Sequence, residues 1–200
     1  MTFKLAFKYL LRLILLALLA ISIYLVNLFF MKPFSIDHFL AKETFLEIID
    51  SPESMTYIGI FDKYNWFTGH ASKLTIPSQK QLDRDKAKAR KILETLRSYD
   101  DENLSSIQRA SKKIAIFDTE NTLLRLETFP FHNYVLNQIG GAHIDMVEFM
   151  TDTHPIRNLS EAKAYIDRVR LFENVFEGHL YELNGQKACL LYTSDAADDG

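Results

Sequence analysis

The chain has 200 residues, 48% of them hydrophobic and 24% charged, which is room for one medium domain and a membrane segment. Its formal charge of -3 carries no message about partners, because Asp195, Asp198 and Asp199 crowd the last residues. No Lys/Arg block is interleaved with aromatics, so a nucleic-acid partner is excluded; the single cysteine, Cys189, excludes an internal disulfide framework, and no cysteine near the start could carry a lipid anchor.

From Leu13 to Met31 no side chain is charged, and only Ser22 and Asn27 interrupt the apolar run. About 19 helical residues span roughly 28 Å, close to the hydrocarbon thickness of a bilayer. Lys4, Lys8 and Arg12 precede the run, so the positive-inside bias keeps the N-terminus cytoplasmic and sends the rest of the chain out. Tyr24, Phe29 and Phe30 sit toward the outer interface. An uncleaved anchor in a bacterial inner membrane, with the lipid bilayer as partner, is the expectation. The competing reading is a signal peptide cut near Ala20 to Ser22, which the long apolar continuation disfavours.

Pro33 ends the anchor and Ser35 is set to cap a helix whose apolar face is Ile36, Phe39, Leu40, Leu46 and Ile49. Asp50 to Glu53 stops it, and Met55 to Phe67 reads as an irregular connection. Ser78 and Gln81 match a capping box ahead of a stripe of Leu82, Ala89, Ile92, Leu93 and Leu96; the charged opposite face reads as solvated. A third helix starts near Asp101 to Asn103, with Ile107, Ala110, Ile114, Phe117, Asn121 and Leu124 recurring at three and four. Phe131 to His143 has no clean period and reads as a loop or strand-like piece. His143 to Met150 is a short helix, His154-Pro155 a break, and Asn158 or Ser160 the cap of a last helix with Tyr165, Val169, Phe172 and Phe176 inward. The fold class is all-α: an N-terminal transmembrane helix, then a partial multi-helix domain with structured loops.

The tail from Cys189 to Gly200 reads CLLYTSDAADDG, and its first ten residues back-translate in frame to a sequence that resembles a transposase-type sequencing adapter. It is therefore set aside from the fold, Cys189 is given no chemical role, and the native frame is expected to run on beyond Lys187. The organisation is 1–32 cytoplasmic stub and anchor, 33–188 helical domain, and 189–200 adapter-derived.

Little catalytic chemistry is spelled out. His38, His70, His132, His143, His154 and His179 form no H-E-x-x-H pair. His143, Asp145 and Glu148 come nearest to a cluster, but a helix does not align all three, and His143 reads as a surface or capping residue. Asp118 and Glu120 point to different sides of their helix. No nucleophile elbow, phosphate loop or dinucleotide fingerprint occurs. No catalytic, cofactor-binding or metal residue is assigned within this chain.

Phe129-Pro130, Leu136-Asn137-Gln138, Gly140-Gly141, the Met146 to Met150 helix, His154-Pro155, and Tyr165 with Arg168 follow one another in the order of a known pattern. Upstream, Pro52-Glu53, Thr56 and Gly59-Ile60-Phe61-Asp62 fit its beginning. In these features the sequence resembles the bacterial domain-of-unknown-function 885 family over nearly everything after the anchor. The resemblance implies a helical, zinc-peptidase-like protein related to the gluzincins, with a peptide substrate and zinc held in the full-length parent. Its His-Glu motif would lie downstream, so no metal ligand carries over to this chain. In the parent a Glu-activated, zinc-bound water would attack a peptide carbonyl. Asn137, Gln138 and Gly140 are the residues that could line a substrate cleft; the alternative is that they shape a loop. A non-catalytic, membrane-anchored helical module that binds a peptide or an envelope protein fits the same sequence.

Overall fold

The computed structural model describes residues 2–137 and 140–189. Nine α-helices are formed among them: α1 (Thr2–Phe30), α2 (Ile36–Asp50), α3 (Pro52–Ile58), α4 (Asn65–Thr68), α5 (Gln79–Arg97), α6 (Ser106–Thr128), α7 (Ala142–Glu148), α8 (Leu159–Arg170) and α9 (Phe172–Ala188). Within the described residues the only β pairing is an isolated bridge between Leu136 and Gly141. The all-α expectation holds.

α1 is longer at its start than the charge-free run alone. Its apolar stretch covers Phe7–Phe30, 24 residues whose most apolar 18-residue window has a mean hydropathy of 2.7, with side chains largely exposed, so Lys8 and Arg12 lie inside the helix. Met31 lies just past its end. By length and composition α1 qualifies as a membrane span or a signal anchor.

Asn27, which interrupts the apolar pattern, explains the end of α1. It is buried: its Nδ2 donates to the Lys32 carbonyl at 2.8 Å, and its Oδ1 accepts from the Phe34 amide at 2.9 Å. The side chain thus replaces helix bonds that Pro33 cannot make. The turn it shapes is pinned to the body from the other side. Lys32 donates to the Ser98 carbonyl at 2.7 Å and lies 4.3 Å from the Tyr99 ring centre, and the Tyr99 hydroxyl donates to the Pro33 carbonyl at 2.7 Å. Burial raises the Tyr99 phenol to about 12, so it remains a donor at any physiological pH.

Directly above this turn lies the main core: Ile36 and Phe39 of α2 against Leu96 and Tyr99, with Ile92, Ala115 and Ile116 beside them. α2 starts where Ser35 accepts from the Asp37 amide. α5 and α6 run antiparallel, joined at their surface by Arg90–Glu127 and Arg97–Glu120.

Several local expectations need correction. The stop at Asp50 to Glu53 is also a start, because Ser51 caps α3 and Pro52 takes its first position; much of the expected irregular stretch is therefore helical. At Ser78 only half a capping box forms, since the Gln81 side chain reaches forward to Asp85. The complete box is Ser105 with Gln108, after a 3₁₀ turn at Asp101–Asn103. The last helix is two, divided at Leu171.

The stripe on α6 faces solvent: Ile107 is 77% and Phe117 68% exposed, and Ile114 and Leu124 are also exposed. A second stripe, the stem of Lys112 with Ala115 and Ile116, takes the inner face instead. With apolar residues on both sides, periodicity identifies the helix but not its buried face.

Asn27→Leu makes α1 more apolar yet removes both bonds of the turn. It should destabilise the chain by about 2 kcal/mol and lower Tm in detergent by roughly 4–8 °C. An unchanged or higher Tm would show that the turn does not depend on Asn27.

Candidate functional site

α8 places Ala164 and Arg168 one turn apart on its inner face, and both are buried. Arg168 is 0% exposed. A guanidinium taken wholly from water needs acceptors for its five N–H bonds. Here Nε donates to the Lys73 carbonyl at 2.9 Å and Nη1 to His154 Nδ1 at 2.8 Å. Nη2 donates to Thr56 Oγ1 at 2.7 Å and the His70 carbonyl at 3.0 Å, with the Pro52 carbonyl at 3.3 Å. The Phe149 ring centre lies 4.8 Å from Cζ.

No carboxylate among the described residues touches this guanidinium. Burial draws its pKa down to about 10, while the Glu53 and Asp62 carboxylates oppose the shift, so it stays charged at neutral pH. Both carboxylates are held in place nearby. Glu53 accepts from the amide and hydroxyl of Thr75, at 2.6 and 2.8 Å, and Asp62 pairs with Arg157 at 2.6 Å. Arg157 also binds Glu161, whose backbone amide is capped by Asn158.

Two buried histidines flank Arg168. Because Nη1 can only donate, His154 Nδ1 must accept, which leaves Nε2 to carry the proton and donate to the Glu161 carbonyl at 3.3 Å. His70 Nδ1 meets Thr68 Oγ1 at 2.8 Å, while its buried Nε2 has no hydrogen-bond partner among the described residues and lies 3.7 Å from Asp62. Burial, with the Arg168 charge beside it, holds both imidazoles below the usual histidine range.

Several of the residues quoted for the family pattern thus meet in one place. Pro52, Thr56, Asp62, His154 and Arg168 belong to a single polar network with Glu53 as a nearby charge, and the Tyr165 ring packs edge-on against His154 at 5.3 Å. They assemble a support rather than a reacting centre, since almost every polar group is already bonded.

A cavity of about 430 Å³ opens beside this support. Phe149, whose other side faces Arg168, forms one wall with Tyr57, Glu53 and Thr75. The segment Pro130–Val135 and α7 form a second, and α9 supplies Val175, His179, Glu182 and Gln186. α9 reaches this position because two of its residues are glycines seven apart: a Cβ on Gly178 would lie 2.5 Å from the Pro77 carbonyl, and one on Gly185 would lie 2.6 Å from the Phe131 ring.

Of the proposed cleft residues, Gln138 lies outside the described residues. Asn137 Oδ1 accepts from the Gly140 amide at 2.7 Å, and the Asn137 amide donates to the Gly140 carbonyl at 3.1 Å. The described cavity lining takes Val135, Gly141 and Ala142 from this loop, but not Asn137 or Gly140. Asp145 faces the cavity while His143 lines a separate apolar hollow, so the sequence-level trio with Glu148 is not assembled. Within the described residues no three His, Cys, Asp or Glu side chains are close enough to share a metal ion. Residues 190–200 lie outside the described residues, and Cys189, at the end of α9, is exposed.

In sequence Arg168 stands in the pattern without a role; its spacing of four from Ala164, which puts the two on one helix face, is the available signal. In sequence His179 is only one of six dispersed histidines, and no motif marks Glu182 or Gln186. The family of bacterial proteins of unknown function DUF885 matches residues 52–191. No curated protein and no solved structure matches the chain.

Two outcomes follow from the network. Arg168→Lys keeps the charge but has too few donors for these acceptors, and should cost about 3 kcal/mol, read as a lower urea midpoint; an unchanged midpoint would contradict the role. His154 and His70 have folded pKa values below 6.5. Their contribution is therefore complete above about pH 6.5 and is lost as pH falls through the folded values, because the unfolded chain binds the protons first. His154→Gln should flatten the fall in Tm between pH 7 and pH 5; an equally steep fall would exclude His154 as a source.

Proposed function

The chain belongs to the DUF885 family of bacterial proteins, and on that premise we propose that it is the N-terminal helical part of a membrane-anchored, extracytoplasmic metallopeptidase-like protein. The observation that carries this reading is the cavity built against the Arg168 network. Residues quoted for the family pattern, remote from one another in sequence, are spent on holding one wall of a ligand-sized space.

The chain's own residues bind and orient in this reading; they do not react. Arg168 fixes Phe149 and the α3 end of the wall, and α9 closes the opposite side. The donor set for zinc is not met here: the His179–Glu182 pair, 2.8 Å apart, gains no third ligand among the described residues. Zinc and its catalytic base are therefore assigned to a downstream His-Glu helix of the parent, where the metal would supply an activated water. α1 tethers the assembly, with Lys4, Lys8 and Arg12 on the cytoplasmic side.

Expressed in a bacterium, the chain should resist carbonate extraction and retain an N-terminal tag; soluble protein with a new N-terminus near Ala20 to Ser22 would remove the anchor from the account. The parent reading frame should encode a helix-borne His-Glu motif, and its product should cleave peptides in a chelator-sensitive way. A parent frame without that motif would leave a non-catalytic binding module.

A further inference from the structure

Gln186 is 1% exposed, lines the cavity, and donates through Nε2 to the Asn133 carbonyl. Its Oε1, also buried, accepts from no group among the described residues. An acceptor withdrawn from water and left unbonded costs about 1–3 kcal/mol, so a donor is missing from this wall. The charges around it indicate which kind. Glu53, Asp145 and Glu182 all line the cavity, and among the described residues no lysine or arginine does; the Arg168 guanidinium stacks on the Phe149 ring and is not part of the lining. Glu53 is occupied by Thr75 and Glu182 holds His179, whereas the exposed Asp145 carboxylate has no partner among the described residues. Between these groups the surface is aromatic: Tyr57, Phe131, Tyr134 and Phe149. Acidic groups, one unfilled buried acceptor and aromatic walls suit a cation with an apolar body.

We propose that this cavity binds the free ammonium end of an apolar amine, such as the amino-terminal residue of a peptide, with Gln186 Oε1 accepting one of its N–H bonds. Glu182 and Asp145 supply the counter-charge, and the aromatic wall takes the side chain. The choice of a peptide amine rests on the peptide-cleft reading above; the ammonium preference does not.

The test is calorimetric titration of the full chain in detergent micelles with phenylalanine amide and with N-acetylphenylalanine amide. The free amine should bind, and acetylation should weaken binding at least about tenfold, as loss of a charged hydrogen bond requires. Gln186→Met should have an effect of similar size. Asp145→Asn, at an exposed and unpaired position, leaves the fold undisturbed and should weaken the amine by roughly two- to fivefold without affecting the acetylated compound. Should Gln186→Met fail to fold, the acetylation ratio and Asp145→Asn decide. Equal binding of the two compounds would overturn the ammonium assignment while leaving a ligand cavity. Binding of neither compound would also overturn it; peptide cleavage by the parent would then preserve the peptidase reading, and absence of cleavage would remove both.

Discussion

A guanidinium with no carboxylate partner among the described residues, sealed inside a small helical body, is the constraint on which the rest of the structure turns. Removing such a charge from water is costly unless every N–H finds an acceptor. Arg168 finds its acceptors in carbonyls of Pro52, His70 and Lys73, a threonine hydroxyl and an imidazole. Those acceptors come from the start of α3, the turn at His70–Ser72 and the break after Phe149–Thr153. None of these pieces is long enough to be stable alone. The arginine gives them a common geometry, and Phe149 passes that geometry to the cavity wall.

The other half of the body is organised differently. There α2, α5 and α6 bury an ordinary apolar core, and the foot of α1 is fastened to it through Asn27, Lys32 and Tyr99. The attachment couples the direction of α1 to α2 and to the Tyr99 end of α5. A terminal helix held in this way is fixed in direction against the body instead of trailing from it on a loose linker.

What the sequence made legible follows from the range of each interaction. The helices announced by local signals, Ser35 before α2, the Leu93/Leu96 stripe of α5 and Asn158 before α8, are where those signals place them. Ser51 was read only as part of a stop because the same short polar run both ends α2 and caps α3. The α6 stripe was legible as a helix, yet its buried face was not, since the choice between two apolar faces is made by α2 and α5. The Arg168 network joins residues up to 116 positions apart, and Gln186 meets Asn133 across 53. Contacts of that span leave no periodic trace; only the resemblance drew several of these residues together, and it assigned them no geometry.

Arg168 remains charged while its neighbour His154 stays neutral in one tautomer. Nitrogen-15 NMR of the imidazole reads this directly. At pH 7 the account predicts a proton on His154 Nε2 and a bare, hydrogen-bond-accepting Nδ1, whose signal changes on Arg168→Lys. A doubly protonated ring, or a proton on Nδ1, would contradict it, because Arg168 would then face a donor where it needs an acceptor.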